Sequence, residues 1–313
     1  MPPSKKPEYL IIIGANKAGT TSLFRYLSDH PDVCPAFIKQ TFFFLDKEWQ
    51  ELLGLKPIYD HENGFEEFNK YFQTGNSNCI KLEASPEYLF APGVPDRLRD
   101  LLNHRTGKLI MLLRDPVDRL KSLYFYGRQQ GQIDVEESFE EFLDKNVDTG
   151  VVSYPSYMGR ATGKYSTYLK RYMDLFGSSE LKVIYFEDLV AHPETVLIDL
   201  CGELELDPAF FESYDFDVTN KTKGIRNAKV AVAYNKLRSV VVNALYKSDV
   251  GRRAGGQLKK VVAPLYRKLN QSTALASEVV ISEGLEEMLR KEYTEDIKLV
   301  EDYLGMKSPW KQC

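Results

Sequence analysis

The chain has 313 residues, 43% of them hydrophobic and 27% charged, which supplies ample apolar material for a packed core and shows no signature of disorder beyond the ends. A formal net charge of −4 gives no general attraction to nucleic acid or to an anionic membrane, so an anion site has to be a local gathering of Lys and Arg. The apolar run Leu10 to Ile13 is too short for a secretory or membrane-spanning segment, no other stretch approaches the required length, and a soluble, cytoplasmic protein is expected.

Cys34, Cys79, Cys201 and Cys313 are widely spaced, with no Cys/His pattern of metal-ligand spacing, so reduced thiols and no metal site are expected. Asn220-Lys221-Thr222 matches a glycosylation acceptor and is read as chance. One domain over residues 1–313 is expected, with a flexible tail at 1–8 and a helical part at 227–313.

Tyr9 to Ile13 reads as a buried strand ending at Gly14. Thr21 to Leu27 follows as a helix, with Leu23, Phe24 and Leu27 at helical spacing, Thr20 or Thr21 as its cap, and His30-Pro31 as its stop. Strands are predicted at Cys79 to Leu82 and Lys108 to Leu113, with a helix at Pro95 to Leu102 between them. After Arg114, Asp115 suits an N-cap and Pro116 the first helical position, and that helix should reach about Gly127. Leu181 to Phe186 supplies a fourth strand, no strand is predicted from Asn227 onward, and Ser282 to Leu304 is an amphipathic helix closed by Gly305. Strands alternating with helices predict an α/β fold, a central parallel sheet flanked by helices, with a helical C-terminal region.

Gly14-Ala15-Asn16-Lys17-Ala18-Gly19-Thr20-Thr21-Ser22 joins the first strand to the first helix, where backbone N–H groups and the positive end of the helix dipole favour an anion. Glycines permit the tight turn, Lys17 brings a full charge, and Thr20, Thr21 and Ser22 add hydroxyl donors. A nucleoside-triphosphatase loop has the same Gly spacing but requires Lys where Thr20 stands, which disfavours ATP or GTP hydrolysis. The bland alternative is a structural turn that contains a lysine. Arg114 to Ser122 repeats the arrangement: a charged residue at the carboxyl end of a buried strand, where open α/β sheets bind ligands, then a capped helix carrying Ser122 about two turns in. An arginine there can fork onto a phosphate, or form a structural ion pair.

Together the two segments resemble the phosphate-binding motifs of sulfotransferases that use 3′-phosphoadenosine-5′-phosphosulfate (PAPS). Lys17, Ala18, Gly19, Thr20, Thr21 and Ser22 match the 5′-phosphosulfate loop, and Arg114 with Ser122 match the 3′-phosphate motif. The resemblance continues through Gly163-Lys164-Tyr165, Tyr185-Phe186-Glu187-Asp188-Leu189 and His192-Pro193. Lys39-Gln40-Thr41-Phe42-Phe43-Phe44 and Glu83-Ala84-Ser85-Pro86-Glu87-Tyr88 are similar to stretches of the heparan-type and bacterial branch. Lys223, Gly224 and Arg226 resemble the late basic loop that closes over the cofactor, and read equally well as a solvated basic loop.

The resemblance implies PAPS as sulfuryl donor, 3′-phosphoadenosine-5′-phosphate (PAP) as product, no required metal, and Lys17 as the cation at the leaving oxygen. It fails at the base. Gln40 stands where the branch carries a catalytic glutamate, and an amide cannot take a proton at neutral pH. Phe42 replaces a histidine, and Ala84 removes a lysine that would meet an anionic sugar, so a polyanionic glycan is disfavoured as acceptor. Glu83 is the first candidate base, read evenly against a structural carboxylate, with His30, Asp46 and Glu87 behind it. The acidic stretch Asp134 to Lys164 suits an uncharged or cationic acceptor, or is a solvated helix face. The expectation is sulfation of a hydroxyl or amine on a small molecule, in the manner of natural-product tailoring. A glycan sulfotransferase, a nucleotide kinase and a catalytically silent nucleotide binder are the alternatives.

Overall fold

The computed structural model describes residues 6–53, 64–72, 78–130, 132–134, 136–146, 158–216, 223–225, 271–275 and 281–311. The chain divides into two compact units. One comprises Met1–Asp115, Lys164–Asp217 and Thr294–Gln312, the other Pro116–Gly163 and Val218–Tyr293 together with Cys313.

The first unit is built on a five-stranded, all-parallel sheet of order β2-β3-β1-β4-β5. Its strands are β1 (Tyr9–Gly14), β2 (Val33–Pro35), β3 (Ile80–Ala84), β4 (Gly107–Leu113) and β5 (Leu181–Tyr185). β1 lies at the centre, and its apolar residues Tyr9 to Ile13 are wholly buried, as expected of a parallel strand covered on both faces. Helices α1 (Thr20–Ser28), α2 (Lys47–Leu52), α3 (Gly64–Asn69) and α4 (Val94–His104) belong to this unit, and α4 buries Val94, Leu98, Leu101 and Leu102. The four predicted strands are all present, each within two residues of its expected ends. Within this sheet the edge strand β2, three residues long, is the one strand without a counterpart among the predicted elements.

The second unit opens with α5 (Pro116–Gln130), followed by α6 (Phe139–Lys145). α6 is held by a capping box in which Glu141 N–H donates to Ser138 Oγ while Ser138 N–H donates back to the Glu141 carboxylate. Just before α6, Glu137 is buried against Lys145 and Tyr124, while Glu140 and Glu141 are exposed on the helix. Arg119 is fully buried and donates to Thr162 Oγ1 and the Gly159 carbonyl.

In the first unit again, α7 (Ser166–Leu175) precedes β5, and α8 (Phe186–Ala191), α9 (Pro193–Leu204) and α10 (Ala209–Glu212) follow it. Two late strands, β6 (Lys223–Ile225) and β7 (Gln271–Leu275), pair antiparallel in the second unit. β7 overturns the expectation that strands end before Asn227: Gln-Ser-Thr-Ala-Leu is short and mostly polar, and only its partner makes it a strand. The last helix, α11 (Glu283–Leu304), divides between the units at Tyr293 and stops at Gly305, whose φ of 64° is the left-handed form that glycine favours.

The expectation of reduced thiols is also corrected. Cys34 on β2 and Cys79, just before β3, form a disulfide across a sequence separation of 45. Parallel pairing of Val33 with Ile80 brings them together, a proximity that distance in sequence conceals. Cys201 is a buried free thiol. Among the described residues no helix is long and apolar enough to cross a membrane.

Candidate functional site

Arg114 and Phe186 directly follow β4 and β5, Glu83 is the penultimate residue of β3, and Lys17 lies three residues past β1, so all four stand at the carboxyl ends of the parallel strands, along one edge of the sheet. This is the edge at which open α/β sheets bind ligands, and the strand order reverses beside β1.

The loop after β1 is tied down by Ala15 N–H to the Leu112 carbonyl (2.7 Å) and Ala18 N–H to the Ala15 carbonyl (3.2 Å). Lys17 adopts a left-handed backbone (φ 65°) and is half-buried. The expected cap at Thr20 or Thr21 is not found. Gly19 is the N-cap of α1, with φ 85° and no side-chain cap hydrogen bond; its carbonyl accepts from Ser22 N–H (2.9 Å) and Leu23 N–H (3.1 Å), and the Thr20 and Thr21 amides at the helix start have no side-chain cap. Thr20 is buried, Thr21 exposed and Ser22 half-buried. No side chain fits at Gly19: a Cβ there would lie 2.8 Å from Phe186 Cδ2.

Arg114 donates from Nη1 to the Lys17 carbonyl (3.1 Å), and its guanidinium lies 4.6 Å from the centre of the Phe186 ring. Burial, and then the like charges of Arg114 and Lys39, bring the Lys17 ammonium down to about 8. Lys17, with Arg114 and Lys39 close enough to lower it, stands beside the N-terminus of α1, which has no side-chain cap, a donor set suited to a multiply charged anion.

Lys39, Gln40 and Phe42 belong to the segment after β2. Gln40 and Phe42 both take left-handed φ, at 66° and 55°. This segment is pinned to β3 and to the turn Pro86–Leu89 that follows it. Gln40 N–H donates to the Ala84 carbonyl, Phe42 N–H to Ser85 Oγ, and Phe44 N–H to Tyr88 Oη. Glu83 is fully buried, and its Oε1 accepts from Thr41 N–H (3.1 Å), Thr41 Oγ1 (3.0 Å) and Ser85 Oγ (2.6 Å). Its Oε2 is buried without a hydrogen-bond partner. Burial pushes the Glu83 carboxyl up to about 7, against the pull of those bonds and of Lys39. Glu87 is likewise buried with an unpartnered Oε2, and burial raises its carboxyl too, with Lys39 again opposing.

Two other candidate bases are engaged elsewhere. His30 Nδ1 accepts from Asp32 N–H (3.1 Å), which leaves Nε2 as the donor to the Asp207 carbonyl (3.2 Å). Asp46 pairs with Arg97 (2.8 Å) and accepts from Gly93 N–H (3.0 Å). Ser122 is half-buried on α5 of the second unit. Lys223 and Gly224 lie on β6 rather than in an open loop, and Arg226 is outside the described residues. Phe186 was legible only as a letter in a motif, and Trp310 carried no signal at all, because its contacts span more than a hundred residues.

The open parallel α/β sheet, with a glycine-bounded loop carrying Lys17 after its central strand, has the architecture of an α/β nucleotide-binding fold. The sulfotransferase domain family model matches residues 7–214, and the chain belongs to that family, within the PAPS-dependent sulfotransferases. It is 28% identical to a sulfotransferase from Alicyclobacillus acidocaldarius whose crystal structure covers 80% of this chain and 94% of that one, with a TM-score of 0.56. The membrane-associated sulfotransferase kil1 of Dictyostelium discoideum is 32% identical over 44% of this chain and 28% of its own length. Mouse heparan sulfate glucosamine 3-O-sulfotransferase 3B1 is 25% identical over 86% of this chain and 64% of its own. The chain thus spans less than two thirds of these curated relatives.

Proposed function

We propose that the chain transfers a sulfuryl group from PAPS to a hydroxyl or amine of a small-molecule acceptor, such as an intermediate in natural-product tailoring. The observation that carries this reading is the grouping of Lys17 with Arg114, which donates to the Lys17 carbonyl (3.1 Å), at the carboxyl edge of the sheet, where burial and then the charges of Arg114 and Lys39 lower the Lys17 ammonium and an anion relieves them. PAPS, when bound, supplies the activated sulfuryl group and a nucleoside bisphosphate leaving group.

The first-turn amides of α1, with Ala18, Gly19, Thr20, Thr21 and Ser22, hold the phosphosulfate end, and Lys17 opposes the negative charge that grows on the leaving oxygen. Arg114 holds the 3′-phosphate by a forked, charge-assisted contact. Ser122, Lys223, Gly224 and Arg226 are assigned to the cofactor by resemblance alone. No metal is assigned to the reaction.

Glu83 is proposed as the base through Oε2. A carboxyl held near pH 7 is matched to proton abstraction at neutral pH, and Oε1 is already occupied in holding the 40–44 segment. Glu87 is a second reading, favoured by its own unpartnered Oε2. Glu83→Gln keeps an acceptor oxygen for Thr41 and Ser85, so turnover should collapse while PAP affinity holds. If Glu83→Gln keeps its rate and Glu87→Gln loses it, the base is Glu87.

Ala84 is fully buried in β3, and Phe42 stands where a histidine is expected, both of which favour a small acceptor over a polyanionic glycan. A screen of phenols, aliphatic alcohols, amines and heparan oligosaccharides with labelled PAPS tests that choice. A cytoplasmic location stays part of the proposal, and Cys34–Cys79 weighs against it, because disulfides persist in oxidising compartments.

A further inference from the structure

Two anion sites recognise one bisphosphate nucleotide only if the distance between them is fixed, and the segment after β5 is built to fix it. One edge of the Phe186 ring sits where a Gly19 side chain would be, with Cδ2 and Cε2 at 2.8 and 3.2 Å from a Cβ placed there. The same ring carries the Arg114 guanidinium at 4.6 Å. Phe186 is therefore a spacer between the N-cap of α1 and the arginine of the second motif. The next residue, Glu187, accepts Asp115 N–H at Oε1 (3.0 Å) and Trp310 Nε1–H at Oε2 (3.0 Å). Tyr165 donates its hydroxyl to the Arg114 carbonyl (2.9 Å). That carbonyl and Asp115 N–H belong to one peptide group, so both of its polar atoms are held. Trp310 is 5% exposed and packs on Tyr165 and Tyr185, with ring centres 5.8 and 5.2 Å away.

We infer that Phe186 and Glu187, the latter oriented by Trp310, are positioning residues that set the separation of the Lys17 loop and Arg114. They thereby tune the site to a nucleotide carrying two anionic groups over one carrying a single group. Such residues contribute affinity by preorganisation: without them each half-site survives, but the two no longer match one ligand. This inference rests on the PAPS reading, and the test separates the two.

Calorimetry with PAP and with adenosine 5′-phosphate is run on the wild type, Phe186→Leu, Phe186→Tyr and Trp310→Phe. Phe186→Leu removes the ring while keeping bulk, and Trp310→Phe removes only the N–H donor and part of the ring. Both should weaken PAP about tenfold, the scale of one lost cation–π or charge-assisted contact, and leave adenosine 5′-phosphate within about twofold. Phe186→Tyr should restore PAP affinity, and in turnover the loss should fall on KM for PAPS. Equal weakening of both nucleotides, or no weakening of either, overturns the inference while leaving the donor reading intact. A wild type that does not bind PAP overturns the donor reading and the bracket with it.

Discussion

Lys17 offers a prediction whose sign and size follow from its surroundings. Its ammonium titrates at about 8 because burial and the charges of Arg114 and Lys39 oppose protonation. The phosphates of PAP, with second ionisations near ~6, are fully charged above pH 7 and add no pH dependence of their own. If the protonated lysine is the binding form, affinity falls by the factor 1 + 10^(pH − 8). That factor is about 1.1 at pH 7 and about 11 at pH 9, a loss of roughly 1.4 kcal/mol. Calorimetric titration of PAP from pH 7 to 9 should show this tenfold decline. Lys17→Arg, whose guanidinium stays charged throughout, should bind with a flat profile. A flat wild-type profile, or the same slope in Lys17→Arg, would remove the lysine charge from the anion site.

Glu83 should make the protein less stable as it ionises. Its folded value of about 7 lies above the unfolded value of 4.5, so its contribution is complete below pH 4.5 and is lost as pH rises through 7. The loss is on the order of 3 kcal/mol for this fully buried group, and urea melts of Glu83→Gln at pH 5 and pH 8 should lack it. Gly19→Ala combines a left-handed backbone with a 2.8 Å contact on Phe186 and should cost roughly 1–2 kcal/mol in thermal melts while weakening PAP binding. Reducing Cys34–Cys79 should destabilise by up to about 4 kcal/mol, the chain-entropy value for a loop of 45 residues, with Cys34→Ser/Cys79→Ser behaving alike. A melting temperature insensitive to reductant would contradict the disulfide.

What the sequence showed was whatever local pattern can encode. The apolar runs of β1, β4 and β5 announced a buried parallel sheet, and the Gly14–Gly19 spacing announced the tight strand-to-helix loop that carries Lys17, since both are properties of a few consecutive residues. Arg114 was legible for the same reason, standing at a strand end before a Pro-initiated helix. The N-cap of α1 was misread because threonine propensity pointed to a side-chain cap, whereas packing against Phe186 requires glycine. The disulfide, the clamp of Glu187 and Trp310 on the Arg114–Asp115 peptide, and the Glu83–Thr41–Ser85 network all join residues brought together by strand order, which no spacing rule reports. The acceptor is illegible for a related reason: Gln40, Phe42 and Ala84 say what the family pattern lacks here, and not what replaces it.

The central claim is that the Lys17 loop and Arg114 form a donor site for PAPS. Calorimetry of the wild type with PAP, and separately with ATP and magnesium, tests it most directly. The account predicts tight PAP binding that EDTA leaves unchanged, with ATP much weaker whether or not magnesium is present. Tight, magnesium-dependent ATP binding with little affinity for PAP would contradict it.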